Sequence, residues 1–356
     1  MRRDHAICLL GLLIVSVTPL GFIPHASAQS TPALQIAVSI LPLGGIVREV
    51  GGVQAEVSIL LPEGIDPHAF TLTQAVIDTA TAADLLVLTG HFAWEEELAT
   101  QVGKPYITLE DYESFGATLL PLYGHEVSEQ QSLGGLRQHE HSENLHGYWL
   151  LPQNAIAIAN ATRNLCSVLN STYSQYWQNR FFEFVSKVAE LEAFISEQNI
   201  LYQFSMLKVI ITFPAEAYIA EALGLQVRGL LMEDENVFIT GPELIEVEQA
   251  LQNGSISLIL ASDIAQLQAA GEFAQQLSSD SEVPIVWVRV IFSALEDYVG
   301  IMAYNTGVIS IGASGGLPPA ADFLSISMPV IIIAAVLGIL TVLELVLLIR
   351  CTRAQD

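Results

Sequence analysis

From Thr172 to Phe204 the chain has no proline or glycine. It carries Trp177, Phe181, Phe184, Val188, Leu191 and Ile195 at steps of four, three, four, three and four. That spacing puts all six on one face of an α-helix. At 1.5 Å per residue a single helix here would be about 50 Å long. Two shorter helices with a kink would satisfy the same pattern. A rod of this length constrains everything around it, because its apolar stripe needs cover from the chain on both sides.

Each side offers the same kind of cover. Before the rod, Leu34–Ile40, Val57–Leu61, Asp84–Thr89 and Tyr106–Leu109 read as strands rich in Val, Ile and Leu, with helical patterns opening near Gly44, Thr73 and Trp94. After it, Lys208–Thr212, Val227–Leu231, Ser257–Leu260 and Val283–Val288 read as strands. Segments opening near Pro214, Pro242 and Ile264, and Ala294–Ile309, read as helices. Strands alternating with helices predict parallel sheets covered by helices. The expected fold is therefore two α/β lobes with parallel sheets, joined by one long backbone helix. Ligands of open α/β sheets bind beyond the carboxyl ends of the strands, so the site belongs in the cleft between the lobes.

The ends read differently from the body. Residues 1–29 begin with Arg2 and Arg3, run through an apolar stretch and reach Ala26-Ser27-Ala28, the pattern of a cleaved export signal. An uncleaved membrane helix is the alternative, although Pro19, Gly21 and Pro24 interrupt the run. Residues 326–349 are almost wholly apolar and are followed by Arg350 and Arg353. That length crosses a hydrocarbon core of about 30 Å, and the trailing basic residues predict a cytoplasmic tail over 350–356. A buried core helix is the alternative. Residues 312–325, opening on Gly-Ala-Ser-Gly-Gly-Leu-Pro-Pro, read as a linker. The remaining segments are 30–171, the first lobe with a His-rich loop at 124–146; 172–205, the helix; and 206–311, the second lobe.

Composition narrows the chemistry. The net charge of −25 argues against nucleic acid, which is held by Lys and Arg. It suits a cationic ligand, and equally suits plain solubility. Only Cys166 lies in the body, so neither an intrachain disulfide nor a cysteine-built zinc site is possible there. A metal would have to be held by His and carboxylates. His68 lies in a Pro-Glu-Gly-Ile-Asp-Pro-His loop just after a strand, and His91 directly follows the strand ending at Thr89. Both therefore belong to the same carboxyl edge. His125, His139, His141 and His146 cluster with Glu126, Glu129, Glu140 and Glu143, a composition that fits either weak metal capture or a solvated acidic loop. His146 stands at the exit of that stretch, where Tyr148-Trp149-Leu150-Leu151-Pro152 resumes packing. The sequence has no H-E-x-x-H helix and no phosphate-binding glycine loop, and its one G-x-S-x-G string, Gly312–Gly316, falls at the start of the linker and not in a strand-to-helix nucleophile elbow.

From Ile36 to Asn305 the chain resembles the zinc- and manganese-binding solute receptors of ABC importers. The resemblance is carried by Val38-Ser-Ile-Leu-Pro-Leu, Leu60-Leu-Pro-Glu-Gly-Ile-Asp-Pro-His, Asn144-Leu-His-Gly-Tyr-Trp-Leu-Leu-Pro-Gln-Asn, Pro214-Ala-Glu-Ala-Tyr-Ile-Ala-Glu-Ala-Leu-Gly-Leu and Asp297-Tyr-Val-Gly-Ile-Met-Ala-Tyr-Asn. It implies a non-enzymatic receptor for a divalent metal ion, Zn2+ first and Mn2+ second, working with a permease in the same membrane. It also implies His68 and His146 as metal ligands. The family's third ligand should stand just before Pro214, where this chain has Phe213. The fourth, an acid after the last strand, has no match in Arg289–Ser293. His91 is the first candidate to complete the set, from its place at the strand edge. Glu216, one helical turn beyond Phe213, and His139 or His141 are the others. A degenerate member serving as a membrane-bound accessory or adhesion protein is the rival reading, and an outer-surface metal-dependent hydrolase a more distant one.

Overall fold

The computed structural model describes residues 32–123, 143–234, 237–291 and 297–315. Both terminal segments and most of the His-rich loop, including His125, His139 and His141, lie outside the described residues.

The first lobe runs β1 (Leu34–Val38), α1 (Leu41–Gly51), β2 (Ala55–Ile59), α2 (Gln74–Ala82), β3 (Leu85–Val87), α3 (Ala93–Val102), β4 (Tyr106–Ile107) and α4 (Leu109–Ser114). Its four strands are parallel in the order β2-β1-β3-β4. A short antiparallel pair, β5 (Leu120–Pro121) with β6 (Glu143–Asn144), brings His146 back to this lobe. Two helices follow, α5 (Pro152–Leu169) and α6 (Ser174–Tyr202). The second lobe contains β7 (Lys208–Ile211), α7 (Glu216–Leu223), β8 (Gln226–Leu230), the hairpin β9 (Met232–Asp234) and β10 (Val237–Phe238), α8 (Pro242–Gln252), β11 (Leu258–Ser262), α9 (Ala269–Ser281), β12 (Ile285–Val288) and α10 (Tyr298–Ala313). Its parallel sheet is ordered β12-β11-β7-β8. Counted within each lobe, both sheets have the order second, first, third, fourth.

The rod is one helix. Its 29 residues span about 44 Å. Its buried residues are the six of the apolar stripe, with Trp177 and Phe184 wholly enclosed. Each such side chain stabilises the fold by about 1.5–3 kcal/mol when fully buried. The stripe packs on α1 and α5 of the first lobe and on α7 and α10 of the second. One continuous apolar core thus runs through both lobes, and a smaller one lies in the second lobe around Ile210, Leu251, Ile259 and Leu277.

The sequence reading has no counterpart for α5. Its buried face is Ala155, Ala157, Ile158, Ala159, Ala161, Thr162 and Cys166. These small residues allow close approach to α6 but give little hydrophobic periodicity to read. Among the described residues no helix is long and apolar enough to cross a membrane. The expected span at 326–349 and the export signal at 1–29 fall outside those residues.

Candidate metal site

Three histidines meet at the carboxyl edge of the first lobe's sheet. Ring centroids are 4.9 Å apart for His68 and His91, 5.3 Å for His68 and His146, and 4.4 Å for His91 and His146. One nitrogen from each lies within 4.8 Å of the other two. Among the described residues no other group of His, Cys, Asp or Glu meets in this way.

One local device aims all three. Each histidine stands two residues after a short polar side chain that accepts its backbone N–H. Asp66 Oδ1 accepts from His68 at 2.9 Å, Thr89 Oγ1 from His91 at 3.1 Å, and Asn144 Oδ1 from His146 at 3.0 Å. Such Asx- and Ser/Thr-turns fix the backbone direction just ahead of each histidine. Further contacts lock the turns. The Trp94 indole donates to Pro67 O at 3.1 Å, and the Tyr148 hydroxyl donates to Thr89 O at 2.8 Å. Gly90 and Gly147 flank His91 and His146 at φ +74° and +85°. A Cβ on Gly147 would meet Ala215 O at 3.0 Å, so glycine is required there by conformation and by space.

A buried carboxylate anchors the His91 turn. Glu95 takes Thr89 N (2.8 Å) on one oxygen, and Thr89 Oγ1 (2.7 Å), Gly90 N (2.9 Å), His91 N (3.2 Å) and Phe92 N (3.3 Å) on the other. Burial raises its pKa, and these bonds from Thr89 and Phe92 oppose the rise.

The second lobe covers the site without reaching into it. Phe213, Ala215, Ile264, Val290 and Ile291 line the far side, and the Phe213 ring stands edge-on 4.7 Å from His146. The enclosed space is about 10 Å³, about enough for a single water or ion. Glu216, the second-lobe candidate, is not brought to the three histidines. Its carboxylate is buried and turned away, accepting from Thr212 Oγ1 (2.8 Å), Phe213 N (2.9 Å) and Ser262 N (2.6 Å). It braces the Phe213 turn as Glu95 braces that of His91, and burial pushes its pKa up to about 7. Asp263 likewise faces backbone, accepting from Ile264, Val290 and Ile291.

Four side-chain hydrogen bonds, among others, tie the lobes together around the site. Asn144 Nδ2 donates to Pro214 O at 2.8 Å, and Gln268 Nε2 to Asp66 Oδ2 at 2.8 Å. The Trp149 indole donates to Val290 O at 3.1 Å, and the Tyr298 hydroxyl to Leu150 O at 2.8 Å. The bracing roles of Glu95, Asp66, Asn144 and Gln268 escape the sequence reading. For Glu95 a signal existed, since an acid at the third position of a helix commonly reaches back to the preceding backbone N–H groups.

Electrostatically the site suits neutral imidazole. Burial, then the neighbouring His68, push the His146 pKa down from 6.5 to about 3. Both His146 ring nitrogens are buried without a hydrogen-bond partner among the described residues. An unsatisfied buried polar group costs about 1–3 kcal/mol, and a bound metal would relieve that cost.

No curated protein matches the sequence. Solved structures do match in fold. The solute-binding protein FpvC of Pseudomonas aeruginosa, in complex with Mn2+, is 18% identical with a TM-score of 0.62, over 79% of this chain and 98% of that one. The same protein with Ni2+ gives 18% and 0.62, over 80% and 98%. A Cd-bound periplasmic metal-binding protein from Candidatus Liberibacter asiaticus gives 14% and 0.62, over 79% and 99%. The family model described as ZnuA, zinc-uptake complex component A periplasmic, matches residues 36–312. With most of its length matched, and with two parallel α/β lobes on one long helix, the chain belongs to that family of periplasmic metal-uptake receptors.

Proposed function

We propose that this protein is the extracytoplasmic receptor of an ABC-type importer and captures a transition-metal ion, zinc first and manganese second, with His68, His91 and His146 as its ligands. The observation that carries this reading is the meeting of three imidazoles at the carboxyl edge of one sheet, each aimed by its own turn. Three histidines leave one position of a tetrahedral zinc open. His91 takes the part that Phe213 leaves unfilled. The His-rich stretch at 124–146 would concentrate ions near the cleft, and the apolar segment at 326–349 would hold the receptor beside its permease.

The test is a calorimetric titration of the protein with zinc and with manganese. A single zinc site that is lost in His68→Ala, His91→Ala and His146→Ala supports the reading. Unchanged zinc binding in all three variants overturns it. A second reading, an accessory or adhesion protein, is favoured by Phe213 standing where the family's third ligand would be. It becomes the better one if the parent binds zinc no more tightly than these variants do.

A further inference from the structure

The floor of the second lobe, where its strands begin, carries an apolar patch far from the metal site. There α6 ends, and the chain reverses through Gln203 (φ +54°) into a short turn, Phe204–Met206, that leads into β7. Ser205 N donates to Asn199 Oδ1 at 3.1 Å, which holds the turn against the end of the helix. Around this reversal Ile200 is 81% exposed, Leu201 67% and Met206 69%. A single exposed apolar residue needs no explanation. Three large ones gathered on one solvated helix end form a patch, and such patches mark contact with another surface.

The second lobe also releases the chain at this edge. α10 starts beside α6, with the Tyr298 and Phe184 rings 6.1 Å apart, and both helices run toward the strand starts. The last turn of α10 rests on those starts. A Cβ on Gly312 would meet Val286 Cγ2 at 2.5 Å and Leu258 Cδ2 at 3.2 Å. Leu258 opens β11, and Ser257 N donates at 2.8 Å to the carbonyl of Lys208, which opens β7. Met206 stands two residues before Lys208. Ile311, on that last turn of α10, is 40% exposed. The described chain stops at Gly315, and the apolar stretch follows at 326–349. Residues 316–325 can separate the two by at most about 36 Å.

A surface that holds 326–349 is therefore within reach of the patch. Tethering turns contact with that surface into an intramolecular event at high effective concentration, so a patch too small to find a bilayer unaided can still settle on one. Apolar side chains gain by sinking into the boundary between headgroups and acyl chains. Charge narrows the lipid. Glu197, Asp280 and Glu282 stand exposed around the same edge, against the half-buried Lys208, and the whole chain carries −25. An anionic surface attracts basic segments and repels acidic ones.

We propose that Ile200, Leu201, Met206 and Ile311 form a foot that rests in the surface of a neutral phospholipid bilayer beside the chain's own anchor. The foot rests on the anchored part of the receptor reading, the span at 326–349, and not on the metal site.

The experiment places the full chain in phosphatidylcholine vesicles doped with a phosphatidylcholine that carries a diazirine high in its acyl chain. After illumination, labelled peptides are mapped by mass spectrometry. Label is expected on 326–349 and on the peptides holding Ile200–Met206 and Ile311. In the Ile200→Ser, Leu201→Ser, Met206→Ser triple variant, label at the Ile311 peptide should fall at least about fivefold, because most of the apolar area of the foot is gone. Zinc affinity and melting temperature should not change, since all three side chains are exposed and remote from the histidines. Val53, 74% exposed where β2 of the first lobe begins, serves as the internal control and should stay unlabelled. Replacing a third of the lipid by phosphatidylglycerol should lower label on the foot about twofold. Label confined to 326–349 overturns the proposal and leaves the anchor standing, whether a protein covers the patch instead or nothing does. Equal label at Val53 overturns it as well, by showing that the body meets lipid without preference. If 326–349 is itself unlabelled, anchor and foot fall together, and the metal titration stands apart from both.

Discussion

The two lobes share a sheet order, yet their facing edges differ in kind. In the first lobe the turns after the strands present imidazoles; in the second they present Phe213, Ile264, Val290 and Ile291. Each lobe has a buried glutamate bracing one such turn, Glu95 beneath His91 and Glu216 beneath Phe213. The scaffolding is alike and the side chain it displays is not. On the proposed function one lobe grips while the other seals, so a substitution should reveal which lobe it belongs to by what it changes.

The largest contrast is expected at the displayed residues. His68→Ala, His91→Ala and His146→Ala should each cost at least about 100-fold in metal affinity, since even outer supporting groups are worth 10–100-fold. Phe213→Ala, measured in the same chelator competition, should cost far less. Equal losses at His91 and Phe213 would end the division between grip and seal.

The braces give the next contrast. Glu95→Gln should lower affinity about 10–100-fold by loosening the His91 turn. Glu216→Gln should leave affinity within about threefold while lowering stability by roughly 1–3 kcal/mol, as a disturbed buried network does. Paired melting curves and titrations separate the two effects. A large affinity loss in Glu216→Gln would mean that the second lobe shapes the site directly.

Acid should act on the lobes with opposite sign. His146 is pushed down from 6.5 to about 3 in the folded protein. The unfolded chain therefore takes the proton first, and this group's contribution to stability is lost as pH falls from 6.5 toward 3. Glu216 is pushed up from 4.5 to about 7. There the folded state holds the proton more tightly, and stability is lost as pH rises from 4.5 through 7. In the parent the two largely offset each other between pH 5 and 6.5. Metal-free His146→Phe should gain about 2 kcal/mol on that acidification relative to the parent, and Glu216→Gln should lose a similar amount. Denaturant melts at the two pH values measure both, and parallel slopes in all three proteins would remove this distinction.

The smallest effect is expected at the seal itself. Phe213→Leu keeps the roof apolar and should change zinc affinity by less than about twofold, with a modest loss of stability from imperfect repacking, about 1 kcal/mol.

The sequence made the rod and the strands legible because their apolar residues are large and regularly spaced. All six residues of the stripe are buried in α6. It hid α5, whose inward face is mostly alanine. At the site, His68 and His146 were readable from motif resemblance and His91 from its place after β3. Glu216 reads as a possible ligand from sequence because its position one turn past Phe213 says nothing of its rotamer. Only the tertiary fold shows that it faces Thr212 and Ser262. The roof was equally hidden, since Ile264, Val290 and Ile291 look like ordinary core residues until both lobes are in place.

Asp66 and Asn144 each hold two bonds at once, one aiming a histidine and one reaching the opposite lobe. Parting the lobes breaks the second bond of each and frees the side chain that fixes the first. Thermodynamic coupling is reciprocal: whatever holds the lobes together tightens the hold on the ion, and whatever draws them apart weakens it. A permease that binds both lobes and favours their separation therefore needs no contact with the ion. If the three histidines hold the ion as proposed, pulling Gln268 from Asp66 and Asn144 from Pro214 would slacken His68 and His146, and cargo release would become a mechanical consequence of docking.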